Sequence, residues 1–181
     1  MKTVPVPKGL EGNPSVTGEI FTDKASYISS CSNRKKEKIE KWYGDKILRK
    51  TTRNNMKVYQ GQTIVVDKMG ENIDVIFDSK TTGHICNDAA QSSHPVWCEF
   101  SDRMPQILTN SKLVAHEMNT KLDKKPWAVE YFYYEYKTPY DTIFLSVEYN
   151  DIIPEGRKFY RLYAITDKLR STAIIYKKKN H

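Results

Sequence analysis

Long apolar runs are missing from this sequence. None reaches the roughly 20 residues that a membrane-spanning helix needs, so no membrane partner is expected. Cysteine is scarce: Cys31, Cys86 and Cys98 are odd in number and widely spaced, which predicts free thiols in a reducing, cytoplasmic setting rather than a disulfide framework. The opening MKTVPVPKGLEGNPSV is broken by Pro5, Pro7, Gly9, Gly12 and Pro14, a pattern that predicts neither an apolar signal core nor an amphipathic transit helix. Also absent are a Gly-x-Ser-x-Gly elbow, a Walker-type phosphate loop and a Gly-x-Gly-x-x-Gly turn. Nucleophilic hydrolysis, nucleotide hydrolysis and hydride transfer therefore have no fingerprint here.

What is present is a polar globular composition, 39% hydrophobic and 28% charged over 181 residues, enough to bury a core without staples. The net charge of +7 is concentrated in one place. Between Asn33 and Lys57 stand ten basic residues (Arg34, Lys35, Lys36, Lys38, Lys41, Lys46, Arg49, Lys50, Arg53 and Lys57) against Glu37, Glu40 and Asp45. The rest of the chain balances, with nineteen residues of each sign.

Residues 1–21 read as an extended arm, because proline and glycine recur too often for a helix. A single α+β domain is expected over 22–181, with a mixed, mostly antiparallel sheet and two main helices. Its first part, 22–57, is a basic helical segment. Thr22 or Asp23 can cap a helix to Tyr43, Gly44 stops it, and Ile39, Tyr43 and Ile47 supply an apolar stripe that leaves the cations in solvent. A β-rich middle follows at 58–101. There Gln62–Asp67 and Asn72–Asp78 flank a Lys68-Met69-Gly70-Glu71 turn, and Val96–Phe100 forms a short strand. A second helix is expected over 102–125, capped by Asp102 or Asn110, with Ile107, Val114, Met118 and Leu122 on one face. The segment 126–177 reads as an antiparallel meander with strands at Trp127–Lys137, Asp141–Tyr149, Lys158–Thr166 and Ser171–Lys177.

Four constellations can carry chemistry. The first is the basic segment, with Arg34, Lys35, Lys38, Lys41, Lys46, Arg49, Lys50, Arg53 and Lys57 as phosphate contacts. Cations on one element release condensed counterions when they meet DNA or RNA. The plainer alternative is a solvated helix face stabilised by pairs such as Glu37 with Lys41. The second is the aromatic strand Tyr131-Phe132-Tyr133-Tyr134-Glu135-Tyr136, whose alternation gives each sheet face two or three rings. Such rings stack bases, and they also pack sheets.

The third is a pair of carboxylates, Asp74 and Glu99, which neighbouring strands would bring together to hold Mg²⁺ for phosphodiester cleavage. This outline resembles the metal site of the restriction-endonuclease-like fold, an acidic residue followed after a spacer by an acidic-x-lysine tripeptide. Here Ser101 stands two positions after Glu99, and Lys80 of Asp78-Ser79-Lys80 would substitute as the catalytic lysine. The fourth is His84, Cys86, His94 and Cys98, which have the chemistry of zinc ligands but lack paired knuckle spacing, so zinc is not expected.

The leading expectation is a nucleic-acid-binding protein, with Mg²⁺-dependent nuclease activity as its catalytic extension. The competing one is a non-enzymatic interaction or inhibitor protein, of viral or mobile-element composition, that sets its basic face against an acidic protein surface.

Overall fold

The structure is a computed structural model that describes residues 48–91, 101–137, 142–152 and 155–177. The expected arm 1–21, the helix to Tyr43 and the strand Val96–Phe100 lie outside those residues. The chain divides into two compact units, Met1–Val58 with Cys86–Asp102, and Tyr59–Ile85 with Arg103–His181.

In the first unit the described element is helix α1, Arg49–Lys57. It falls at the end of the segment 22–57 that the sequence reads as basic and helical. Leu48, Thr52 and Met56 recur every fourth residue and are all buried, so a one-sided anchor forms it.

The second unit is built on seven strands: β1 (Thr63–Lys68), β2 (Glu71–Ile76), β3 (Lys112–Met118), β4 (Ala128–Lys137), β5 (Thr142–Ile152), β6 (Arg157–Thr166) and β7 (Ile174–Ile175). Their order across the sheet is β1-β2-β6-β5-β4-β3-β7. All pairings are antiparallel except β2 with β6, so the α+β class with a mixed, mostly antiparallel sheet is the one observed. Helix α2 (Ser79–Gln91) follows β2, and helix α3 (Met104–Asn110) precedes β3.

The β1–β2 turn falls where the sequence placed it. Met69 and Gly70 both have positive φ, 53° and 89°, the geometry that matches the right-handed twist of a two-residue hairpin. Asp67 Oδ1 accepts the Gly70 N–H at 3.0 Å and closes the turn.

The expected helix over 102–125 is corrected. A 3-10 turn at Ser101–Arg103 leads into the α-helix Met104–Asn110, and Lys112–Met118 is a strand. Ser111 ends the helix: its backbone is extended, and its hydroxyl donates back to the Leu108 carbonyl at 2.6 Å. The spacing of Ile107, Val114 and Met118 fits a helix face, but Val114, His116 and Met118 also share one side of a strand. Pairing decided between the two periods, because β3 is bonded to β4 on one side and β7 on the other.

The meander is real through β4, β5 and β6, whereas its expected fourth strand shrinks to two residues and crosses back to β3. The sheet also curls. The fully buried Tyr134 of β4 donates its hydroxyl to the Asp67 carbonyl of β1 at 3.0 Å, although three strands separate the two in the sheet order. Met104, Ile107 and Leu108 of α3 are buried where it packs on β1 and β4. Val66, Val75, Leu145, Val147 and Leu162 add to the same core.

Candidate functional site

Two surfaces draw together residues with binding chemistry. The first is α1. Arg49, Arg53 and Lys57 follow one another at every fourth position with Lys50 beside them, and the helix contains no acidic residue. Because Leu48, Thr52 and Met56 are buried, the helix turns its cations away from its anchored stripe: Lys50, Arg53 and Lys57 are exposed and Arg49 is half-buried. Arg49 Nη1 donates to Asn87 Oδ1. Burial pushes the Cys86 thiol upward, with the charges of Arg53 and Arg49 opposing that shift. Arg34, Lys35, Lys38, Lys41 and Lys46 lie outside the described residues.

The second surface is one face of the sheet. Alternation along β4 sends Phe132 and Tyr134 toward the core and Tyr131 and Tyr133 to the other side. Register then aligns a polar row across four strands, since Glu117 of β3 pairs with Tyr131, Tyr131 with Glu148 of β5, and Glu148 with Arg161 of β6. Glu148 is fully buried. Arg161 holds its Oε1 through Nε at 2.8 Å and Nη2 at 2.7 Å, while Nη1 reaches Asp78 Oδ2 at 3.1 Å.

Asp78 also caps α2, accepting the Lys80 N–H at 2.9 Å. Burial alone would raise its carboxyl, but that N–H and the Arg161 guanidinium together hold it below its ordinary value. Burial, reinforced by the Glu148 charge, pushes the Tyr131 hydroxyl well above the ordinary tyrosine range. Burial and the bond to Glu117 do the same to Tyr133.

Above this row lies a cleft of about 160 Å³. Tyr131, Tyr133 and Tyr163 give it aromatic walls, and the rings of Tyr131 and Tyr163 stand 5.3 Å apart, tilted by 50°. Lys121 and Lys125 line it from the β3–β4 loop, Lys168 and Arg170 from the β6–β7 loop. Asn119 fixes the first loop: its Nδ2 donates to the carbonyls of Lys125 (2.9 Å) and Ala128 (2.8 Å), and its Oδ1 accepts the Lys121 N–H at 2.9 Å. Lys125 Nζ donates to the Tyr163 hydroxyl, and it stands 4.3 Å from the centre of that ring.

Glu117 is the cleft's one acidic lining residue, and it is 5% exposed. It accepts from Tyr133 at 2.8 Å and from the Thr172 hydroxyl, and lies 3.7 Å from Arg170. Four cations around one largely engaged carboxylate leave the cleft electropositive.

Of the residues expected to cleave phosphodiesters, Asp74 and Lys80 are described. Asp74 is exposed on β2, and its partner across the hairpin is Val65, itself 54% exposed, so that neighbour offers no second oxygen ligand. Lys80 is exposed in the first turn of α2, and Glu99 lies outside the described residues. His84 and Cys86 fall two positions apart on α2, which turns them to different sides of the helix, and His94 and Cys98 lie outside the described residues. Among the described residues, no three His, Cys, Asp or Glu side chains are grouped as metal ligands.

Sequence reasoning found the tyrosines but not the cleft. Lys121, Lys125, Lys168 and Arg170 stand in two loops more than forty residues apart, and no local pattern joins them. The available signal was the tyrosine alternation on β4, combined with basic loops on either side of the meander. No family model, no curated protein and no solved structure matches this chain.

Proposed function

We propose that this protein binds nucleic acid through the cationic side of α1. One observation carries the reading. A helix anchored by Leu48, Thr52 and Met56 presents Lys50, Arg53 and Lys57 to solvent and contains no acid to neutralise them. Fixing cations on a rigid element lowers the entropic cost of meeting a phosphate backbone, and counterion release supplies the driving force. The reading is one of binding: Glu99, the second carboxylate that cleavage at Asp74 requires, lies outside the described residues.

The test is a salt-titrated binding assay with duplex DNA, single-stranded DNA and structured RNA in parallel. Reversing Lys50, Arg53 and Lys57 to glutamate is expected to weaken binding and to make log K against log salt shallower by about two to three. All three positions are exposed, so the folded chain should tolerate the change. Unchanged affinity and slope would refute the proposal. A stoichiometric protein partner recovered from nuclease-treated extract, and lost on the same reversal, would assign the face to an acidic protein instead.

A further inference from the structure

We infer that the cleft between the β3–β4 and β6–β7 loops is a nucleotide site, taking one base against its tyrosines and the attached phosphate at its lysine rim. The inference stands apart from the α1 reading, because every lining residue belongs to the other unit.

Three features select this ligand class. The first is shape. A space of about 160 Å³ lined by Tyr131, Tyr133 and Tyr163 admits a planar ring system but no folded partner. Tyr131 and Tyr163 are half-buried, so part of each ring stays accessible to a base beside the contacts Tyr163 makes with His84 at 4.8 Å and with Lys125 Nζ at 4.3 Å, and base–aromatic stacking is indifferent to base identity.

The second is charge. Lys121, Lys168 and Arg170 are exposed at the rim and Lys125 is half-buried within it, so an anion attached to the ring meets several donors at once. A neutral aromatic ligand would leave those charges without use.

The third is the wall. The Glu117 carboxylate is held in place by Tyr133 and Thr172, and an ionised carboxylate accepts about four hydrogen bonds. Capacity therefore remains for a donor on the edge of a base, such as the exocyclic amine of cytosine or adenine. Because Tyr133 keeps its proton far above neutral pH, its bond to Glu117 persists and the carboxylate stays oriented.

A free mononucleotide and one unit of a single strand present the same chemistry, and the experiment separates them. Isothermal titration of the full chain with the four ribonucleoside monophosphates, their nucleosides, inorganic phosphate and a uridine trinucleotide should show saturable nucleotide binding that exceeds nucleoside or phosphate alone. Equal affinity for mononucleotide and trinucleotide identifies the free nucleotide as ligand. Tighter trinucleotide binding identifies a strand.

Tyr163→Leu should weaken binding by about 5- to 150-fold, the effect of losing one stacked base. Tyr163→Phe, which keeps the ring, should retain most of the affinity. If Tyr163→Leu fails to fold, the Lys125→Gln/Lys168→Gln variant decides, since it should lower the ratio of nucleotide to nucleoside affinity. The inference is overturned by absence of saturable binding, by phosphate binding as tightly as nucleotide, or by a folded Tyr163→Leu protein that binds normally. It is also overturned if charge reversal on α1 abolishes mononucleotide binding, a result that would assign the affinity to the helix.

Discussion

Removing the Arg161 guanidinium while keeping its bulk, as in Arg161→Met, should destabilise the protein by stranding a buried charge. The side chain is 11% exposed and donates two bonds to Glu148, which is not exposed at all. Its third bond goes to Asp78, whose side chain is 24% exposed. The main effect is therefore a fully buried carboxylate that has lost its counter-charge, a loss of about 3–5 kcal/mol.

Asp78 adds to this. Its carboxyl is held low in part by the same guanidinium, so the contribution it makes is complete above about 3.9 and is lost only as pH falls through its folded value.

Urea unfolding followed by circular dichroism at pH 7 measures the deficit. The double variant Arg161→Met/Glu148→Gln should recover much of the loss, because no unpaired charge remains. A deficit below about 1 kcal/mol, or a double variant no more stable than the single one, would refute the reasoning.

Three further outcomes follow from the same structure. Met69 has φ 53° in a turn that favours asparagine or glycine, so Met69→Asn should stabilise by about 0.5–1 kcal/mol in thermal melts, and a destabilised variant would count against the turn geometry. Burial raises the hydroxyls of Tyr131, Tyr133 and Tyr134, so the folded state keeps protons that the unfolded chain loses. Stability should accordingly be intact below about pH 10 and fall as pH rises above it, and ultraviolet titration should show part of the tyrosine absorbance change appearing only with unfolding. Cys86 is buried and its thiol is raised, so iodoacetamide at pH 8 should modify it at least about tenfold more slowly than in urea, as mapped by peptide mass.

Where local chemistry sufficed, the reading and the structure coincide. Met69-Gly70 between two alternating runs specifies a hairpin, and the runs ending at Lys137, Thr166 and Tyr149 specify three successive antiparallel strands. Where two periods competed, as at Val114, His116 and Met118, the side-chain pattern could not choose, and pairing with β4 chose. The 13-residue helix α2 went unread because Ser79, Thr81, Thr82 and Gly83 open it with weak helix formers. The structure supplies what holds that opening turn. Asp78 caps it, and the Thr81 hydroxyl donates to the Leu162 carbonyl at 2.6 Å.

By itself the sequence determined the class of fold, the hairpin, the three-strand meander and the uneven placement of positive charge. Each of these is set by residues close together in the chain, through turn conformation, alternation and local charge. Tertiary structure alone decided that β1 curls over to Tyr134, that Glu117, Tyr131, Glu148 and Arg161 form one row, and that four cations from two distant loops surround three tyrosines. Those arrangements depend on strand order and register. A slip of one residue would send every side chain of a strand to the opposite face, and no local pattern fixes which strands become neighbours.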